Sequence, residues 1–183
     1  MGLQPPTKIR TISAIEYHIV SGVFGATLPY SSRILITNAA GLNGRPFTIP
    51  TSLVSSVLGL NPALFLPTAI AGYLGSVINL AYLINVGSSY NTLGTKDRGL
   101  LVHETAHVWQ GKNSTLAMTY VFSSLLNQCM HGVHAYSYTV GQPWKSYNAE
   151  QQASIIEDWF SQGQPKTGPL YPYIVNHVQK GDC

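Results

Sequence analysis

His103-Glu104-Thr105-Ala106-His107 constrains this chain more than any other stretch. Leu100, Leu101 and Val102 precede it and Val108 and Trp109 follow, so an apolar segment is to be buried with two imidazoles and a carboxylate inside it. The spacing predicts a helix from Lys96 to about Gly111, with Thr95 as its N-cap and Asp97 complementing the positive end of the dipole. On that helix His103 and His107 lie about 40° apart and one turn above each other. Val102, Ala106 and Trp109 fall on the opposite face, which should pack into the core. Two neutral imidazoles so placed are a ligand pair for zinc. Glu104, about 100° from His103, sits beside such an ion without ligating it, where a general base is needed.

A single zinc ion (Zn2+) held by two histidines needs a third protein ligand and one open position to do hydrolysis. The extended motif of the metzincins would require Gly at 110 and His at 113; the chain has Gln110 and Asn113. Carboxylates are few. Glu16 completes a capping box with Ser13, Asp97 belongs to the first turn of the same helix, and Asp182 is close to the last residue. That leaves Glu150, Glu157 and Asp158 on a helix expected from Ala149 to about Phe160, capped by Asn148 and ended by Gly163 and Pro165. Ala149, Ala153, Ile156 and Phe160 form its apolar stripe. Glu150 and Glu157 stand at the stripe's edge, the position from which a side chain reaches a buried metal, and Asp158 points to the far side. Glu150 is the chosen third ligand and Glu157 the alternative.

Charged residues make up only 9% of the 183 residues, against about a quarter in ordinary globular proteins. A net charge of +3, scattered along the chain, argues against nucleic acid as a partner. No charged residue occurs between Pro46 and Thr95, but Pro67, Gly72, Gly75 and Asn79 interrupt its most apolar part, which reads as core or cleft wall and not as a stable membrane span. The N-terminal residues contain no apolar core of a secretory signal. Cys129 and Cys183 permit one disulfide, although Cys129, in an apolar stretch, reads as a buried thiol.

The remaining elements follow from capping and periodicity. A helix is expected from Ser13 to Phe24, closed by Gly25, then a strand over Arg33–Thr37. Asn43-Gly44 signals a turn before Phe47–Ile49, a partner strand. Leu80–Val86 reads as another strand and Thr115–Met130 as a further helix. The order of elements gives an α+β fold: a small sheet, a central helix carrying the histidines and two further C-terminal helices, read as one domain over residues 1–183.

The helix His103–Gln110, followed some forty residues later by Asn148-Ala149-Glu150-Gln151-Gln152-Ala153, resembles the gluzincin-type zinc metallopeptidases, in particular bacterial zinc-peptidase domains such as those fused to type VI secretion spike proteins. The resemblance implies a zincin-like fold, zinc held by His103, His107 and Glu150, and Glu104 activating water for peptide-bond hydrolysis. It implies an oxyanion donor between the helices; Tyr138 and His134 are taken from a set that also holds His131, Tyr136 and Tyr147. It further implies a protein or peptide substrate, with segment Asn79–Gly87 as the edge strand that pairs with it. A larger secretion-spike protein or an inhibitor would be the partner, and delivery would be outside the producing cytoplasm, into the envelope or periplasm of a target cell. One departure stands out. Thermolysin-like enzymes carry an Asp four residues after the ligand Glu, where this chain has Ser154, so the outer partner of the histidines is open among Glu157, Asp158 and Asn148. Two other readings compete: a non-enzymatic binding module on a zincin scaffold, and a membrane-associated domain using the uncharged stretch.

Overall fold

The computed structural model describes residues 6–41, 44–51, 82–114 and 136–183. Within them lie four strands, β1 (Ile9–Thr11), β2 (Ile34–Thr37), β3 (Phe47–Pro50) and β4 (Tyr82–Asn85), and four helices, α1 (Ala14–Phe24), α2 (Arg98–Asn113), α3 (Ala149–Ser161) and α4 (Tyr171–Asn176). The fold is α+β with a small mixed sheet in the order β1-β2-β4-β3.

Strand β2 is Ile-Leu-Ile-Thr and buried throughout, as suits β-branched and aliphatic residues in an inner strand. It pairs antiparallel with β1 and parallel with β4, in register Ile34↔Tyr82 to Thr37↔Asn85. Strand β3 pairs antiparallel with β4, Thr48 opposite Ile84, and is buried only at alternate residues. Two sequence expectations are corrected here. Phe47–Ile49 is a strand but not the partner of β2, because β4 lies between them. Segment Asn79–Gly87 contributes that inner strand, and the edge nearest the histidine helix is β3. Where β2 and β4 end, the Thr37 hydroxyl donates to Asn85 Oδ1 at 2.7 Å. Asn85 Nδ2 in turn donates to the Phe47 carbonyl at 3.1 Å, so these buried polar groups find one another across three strands.

Helix α1 starts as expected. Ser13 and Glu16 form a reciprocal capping box, and Gly25 closes the helix with φ 59°. Glu16 also takes a two-pronged bond from Arg10, at 2.6 and 2.7 Å, which ties the helix start to β1. Helix α2 begins later than the sequence suggests. Its N-cap is Asp97, not Thr95, and the Asp97 carboxylate accepts from the Thr92 hydroxyl instead of capping the helix. Every residue of α2 from Leu101 to Gly111 is buried. The central helix expected from the sequence is thus buried all round in this stretch, packed on α3, β3 and α1. A Cβ on Gly111 would fall 2.7 Å from the Tyr82 ring, so α2 rests directly on the sheet there. On the opposite side Trp109 is fully buried. Its ring meets Phe24 and Trp144, and its indole N–H donates to Thr27 Oγ1 at 3.0 Å.

Helix α3 agrees with the sequence reading, with Asn148 and Gln151 forming its capping box. The short α4 has no counterpart in that reading. The helix expected over Thr115–Met130 and the thiol of Cys129 lie outside the described residues. Among the described residues no helix is long and apolar enough to cross a membrane.

Candidate metal centre

The sequence puts His103 and His107 one turn apart on α2, and the fold brings the first turn of α3 against them. Glu150 is fully buried and faces both rings. His103 Nε2 lies 3.2 Å from Glu150 Oε2, and His107 Nε2 lies 3.4 Å from Glu150 Oε1. All three side chains are buried and close enough to bind a metal ion. The two rings stand edge to face, centroids 5.2 Å apart, so both Nε2 atoms point into one space. His107 Nε2 makes no hydrogen bond among the described residues, although it is buried.

The electrostatics follow from this geometry. Burial by itself would push the Glu150 carboxyl up, but His107 and His103 outweigh it and hold the group well below the usual carboxylate range. Burial lowers His103, yet bonds to Glu150 and Glu157 and the field of Glu104 raise it to about 10. His107 is raised in the same way, chiefly by Glu150 against the effect of burial. Three acids thus surround two imidazoles here, with Glu150 the one that both rings share.

Outer contacts fix each ring. His103 Nδ1 meets Glu157 Oε2 at 3.0 Å, and of the three candidates for the outer partner it is Glu157 that touches a histidine. The seven-residue step from Glu150 sets Glu157 two turns along the same face of α3. His107 Nδ1 meets Gln110 Oε1 at 2.8 Å. In the sequence Gln110 serves only to exclude the metzincin motif, although its i+3 spacing from His107 is a usable signal of this contact.

Glu104 is buried beside the cluster, and its carboxylate accepts from the Thr48 hydroxyl of β3 at 2.7 Å. Burial raises its pKa, with the two histidines opposing. The tyrosines divide. The Tyr138 hydroxyl donates to Asp158 Oδ2 at 2.5 Å, directed to that acid and not to the histidines. Tyr147 donates to the Thr139 carbonyl. Tyr136 packs against His103, ring centroids 5.8 Å apart, and burial with the nearby Glu150 pushes its phenol up to about 12. His131 and His134 lie outside the described residues.

Set against known proteins, one likeness stands out. The chain resembles part of a bacterial secretion spike. Over 153 residues, 82% of this chain, it is 24% identical to the type VI secretion system spike protein VgrG2b of Pseudomonas aeruginosa. The matched region is 13% of that protein's length. No family model and no solved structure matches the chain.

Proposed function

We propose that this chain is a zinc-dependent peptidase domain. The observation that carries the reading is the spacing of the three ligand groups. One ligand atom from each of His103, His107 and Glu150 lies within 4.8 Å of the others, and all three side chains are buried. Each imidazole Nε2 faces one oxygen of the Glu150 carboxylate, at 3.2 and 3.4 Å, so the three groups surround one small space in which an ion would be held. His107 Nε2, buried and without a hydrogen bond among the described residues, fits the same account, since a ligand nitrogen keeps its lone pair for the ion. Two imidazoles and one carboxylate are a donor set suited to zinc.

Zinc held there would supply Lewis acidity, making water nucleophilic near neutral pH and polarising a carbonyl. The chain's own residues do the rest. Glu104, its pKa raised by burial, takes the proton from the attacking water and delivers it to the departing amine nitrogen. Thr48 holds one oxygen of that carboxylate and leaves the other for the proton. Tyr136, its phenol kept protonated, is the donor placed to bond the oxyanion as charge develops, in preference to Tyr138. The edge of β3, which carries Thr48, is where an extended peptide would add as a further strand.

The likeness to a spike protein supports a domain delivered outside the producing cytoplasm as part of a larger secretion assembly, acting on protein in a target cell. The test is metal analysis of the purified protein beside Glu104→Gln, with casein and a peptide library as substrates. Stoichiometric zinc in both and cleavage by the unsubstituted protein only is the expected result. Stoichiometric zinc with no cleavage by either would make the domain a binding module instead.

A further inference from the structure

The contacts of Gln110 continue beyond His107. Its Nε2 donates to the Ala149 carbonyl at 3.0 Å and to Gln152 Oε1 at 3.1 Å, while Gln152 Nε2 donates to the Trp144 carbonyl at 3.2 Å. Both glutamine side chains are at least 98% buried, with relative exposures of 2% and 1%. A main-chain carbonyl can only accept a hydrogen bond. The atom of Gln110 that faces Ala149 must therefore be its amide nitrogen, and the atom that faces His107 must be its oxygen. The Trp144 carbonyl imposes the same sense from the other end, because it turns the Gln152 oxygen toward Gln110. Two independent anchors thus require Gln110 to present an acceptor to His107. Nδ1 of that ring must carry a proton, and in the neutral ring Nε2 is left as a bare lone pair.

We propose that Gln152 and Gln110 form a one-way amide relay, a pair of positioning residues that fixes the tautomer and tilt of His107 and so presents Nε2 to the metal. This rests on the metal-site reading above, though not on peptidase activity. The relay has a second effect. The Ala149 carbonyl immediately precedes Glu150, so Gln110 clamps the start of α3 to α2 and sets the third ligand relative to the second. His103, in contrast, is held by the half-exposed Glu157 carboxylate, so the two rings are secured by different chemistry.

The test is a zinc titration of the full chain, stripped of metal, against a chromophoric chelator, in the unsubstituted protein and in Gln110→Leu, Gln110→Glu and Gln152→Leu. Loss of a partner behind a ligand histidine commonly weakens binding about 10–100-fold, and Gln110→Leu is expected in that range. Gln152→Leu should cost less, because Ala149 still orients Gln110. Gln110→Glu keeps an acceptor for Nδ1 but loses the donor to Ala149, so its loss should be smaller than that of Gln110→Leu. A role in packing only would reverse that order, because a carboxylate facing the Ala149 carbonyl is the most disruptive of these changes and leucine the least. Long-range proton–nitrogen correlation of the histidine rings in the zinc-loaded protein should show His107 protonated at Nδ1 and protected from exchange, with protection lost in Gln110→Leu. Should Gln110→Leu fail to fold, Gln152→Leu and the ring spectrum of the unsubstituted protein decide the matter. Equal zinc affinity in the leucine variants, or a His107 proton on Nε2, overturns the relay and leaves the metal centre standing. An unsubstituted protein that takes up no zinc brings down both.

Discussion

Gly99 stands one turn before His103 on α2, and its missing side chain makes room for Glu157. A Cβ there would lie 3.0 Å from Glu157 Oε1, 3.6 Å from Glu157 Cγ and 3.4 Å from Ser161 Oγ. In Gly99→Ala the flexible end of Glu157 must retreat by a few tenths of an ångström. Its other oxygen is already 3.0 Å from His103 Nδ1, so the retreat takes that bond to the limit of useful length. A full hydrogen bond to a charged group contributes about 1.5–3 kcal/mol. The Glu157 side chain is 36% exposed, so solvent screening reduces this, and about 1 kcal/mol is the expected loss, or about fivefold in metal affinity. The backbone responds in the opposite sense, because alanine is favoured over glycine in a helix by up to about 1 kcal/mol. For a chain of this size that raises the melting temperature by about 2–4 °C. The two effects offset in the metal-free fold, so Gly99→Ala should melt within about 2 °C of the unsubstituted protein when metal-free and bind zinc more weakly, as read by thermal denaturation and chelator competition. Undiminished zinc affinity would show that Glu157 does not hold His103. A lower melting point with unchanged affinity would place the clash at Ser161 instead.

Two further substitutions probe other contacts. Thr48→Val keeps the shape of the side chain and removes the hydroxyl from Glu104; kcat on a peptide substrate should fall about tenfold with zinc content unchanged, and Thr48→Ser should restore it. Full kcat in the valine variant would mean that Glu104 is oriented without β3. At the start of α1 burial raises the Glu16 carboxyl, but its bonds to Arg10 and Ser13 prevail and hold it below its ordinary value of 4.5. A depressed carboxylate stabilises the fold above its unfolded pKa, and that contribution disappears as pH falls through the folded value. The stability gap between the unsubstituted protein and Glu16→Gln should thus be full near neutral pH, at about 1–2 kcal/mol, and shrink as pH falls below the ordinary value of 4.5. A gap independent of pH would assign Glu16 a packing role only.

The sequence was most informative where a local rule and a chemical requirement coincided. The histidine spacing placed both rings on one face, and the stripe-edge argument brought Glu150 to them. The capping box at Ser13 and the cap at Asn148 located two helix starts. The sheet order was not available in this way. Closeness in the chain favoured pairing β2 with β3, and no local signal announces that β4 runs parallel to β2 and separates them. The start of α2 was misjudged because Thr95 and Asp97 are both acceptable caps, and Thr92 decides between them through a tertiary turn. The tyrosines part company through packing that periodicity does not encode: the Tyr138 hydroxyl bonds Asp158, whereas the Tyr136 ring lies against His103. Gln110 lay within the motif's own helix, where its only use in the sequence reading was to exclude a different class of zinc site.

Helix α2 has no wet side between Leu101 and Gly111. Substitutions there meet neighbours in every direction, so drift within this stretch would be tolerated poorly and the inner residues are tied to one another. Novelty in what such a domain recognises has to enter through the rim, along β3, the last strand of the described sheet, and the outward half of α3, while the helix that bears the histidines stays as a fixed axle.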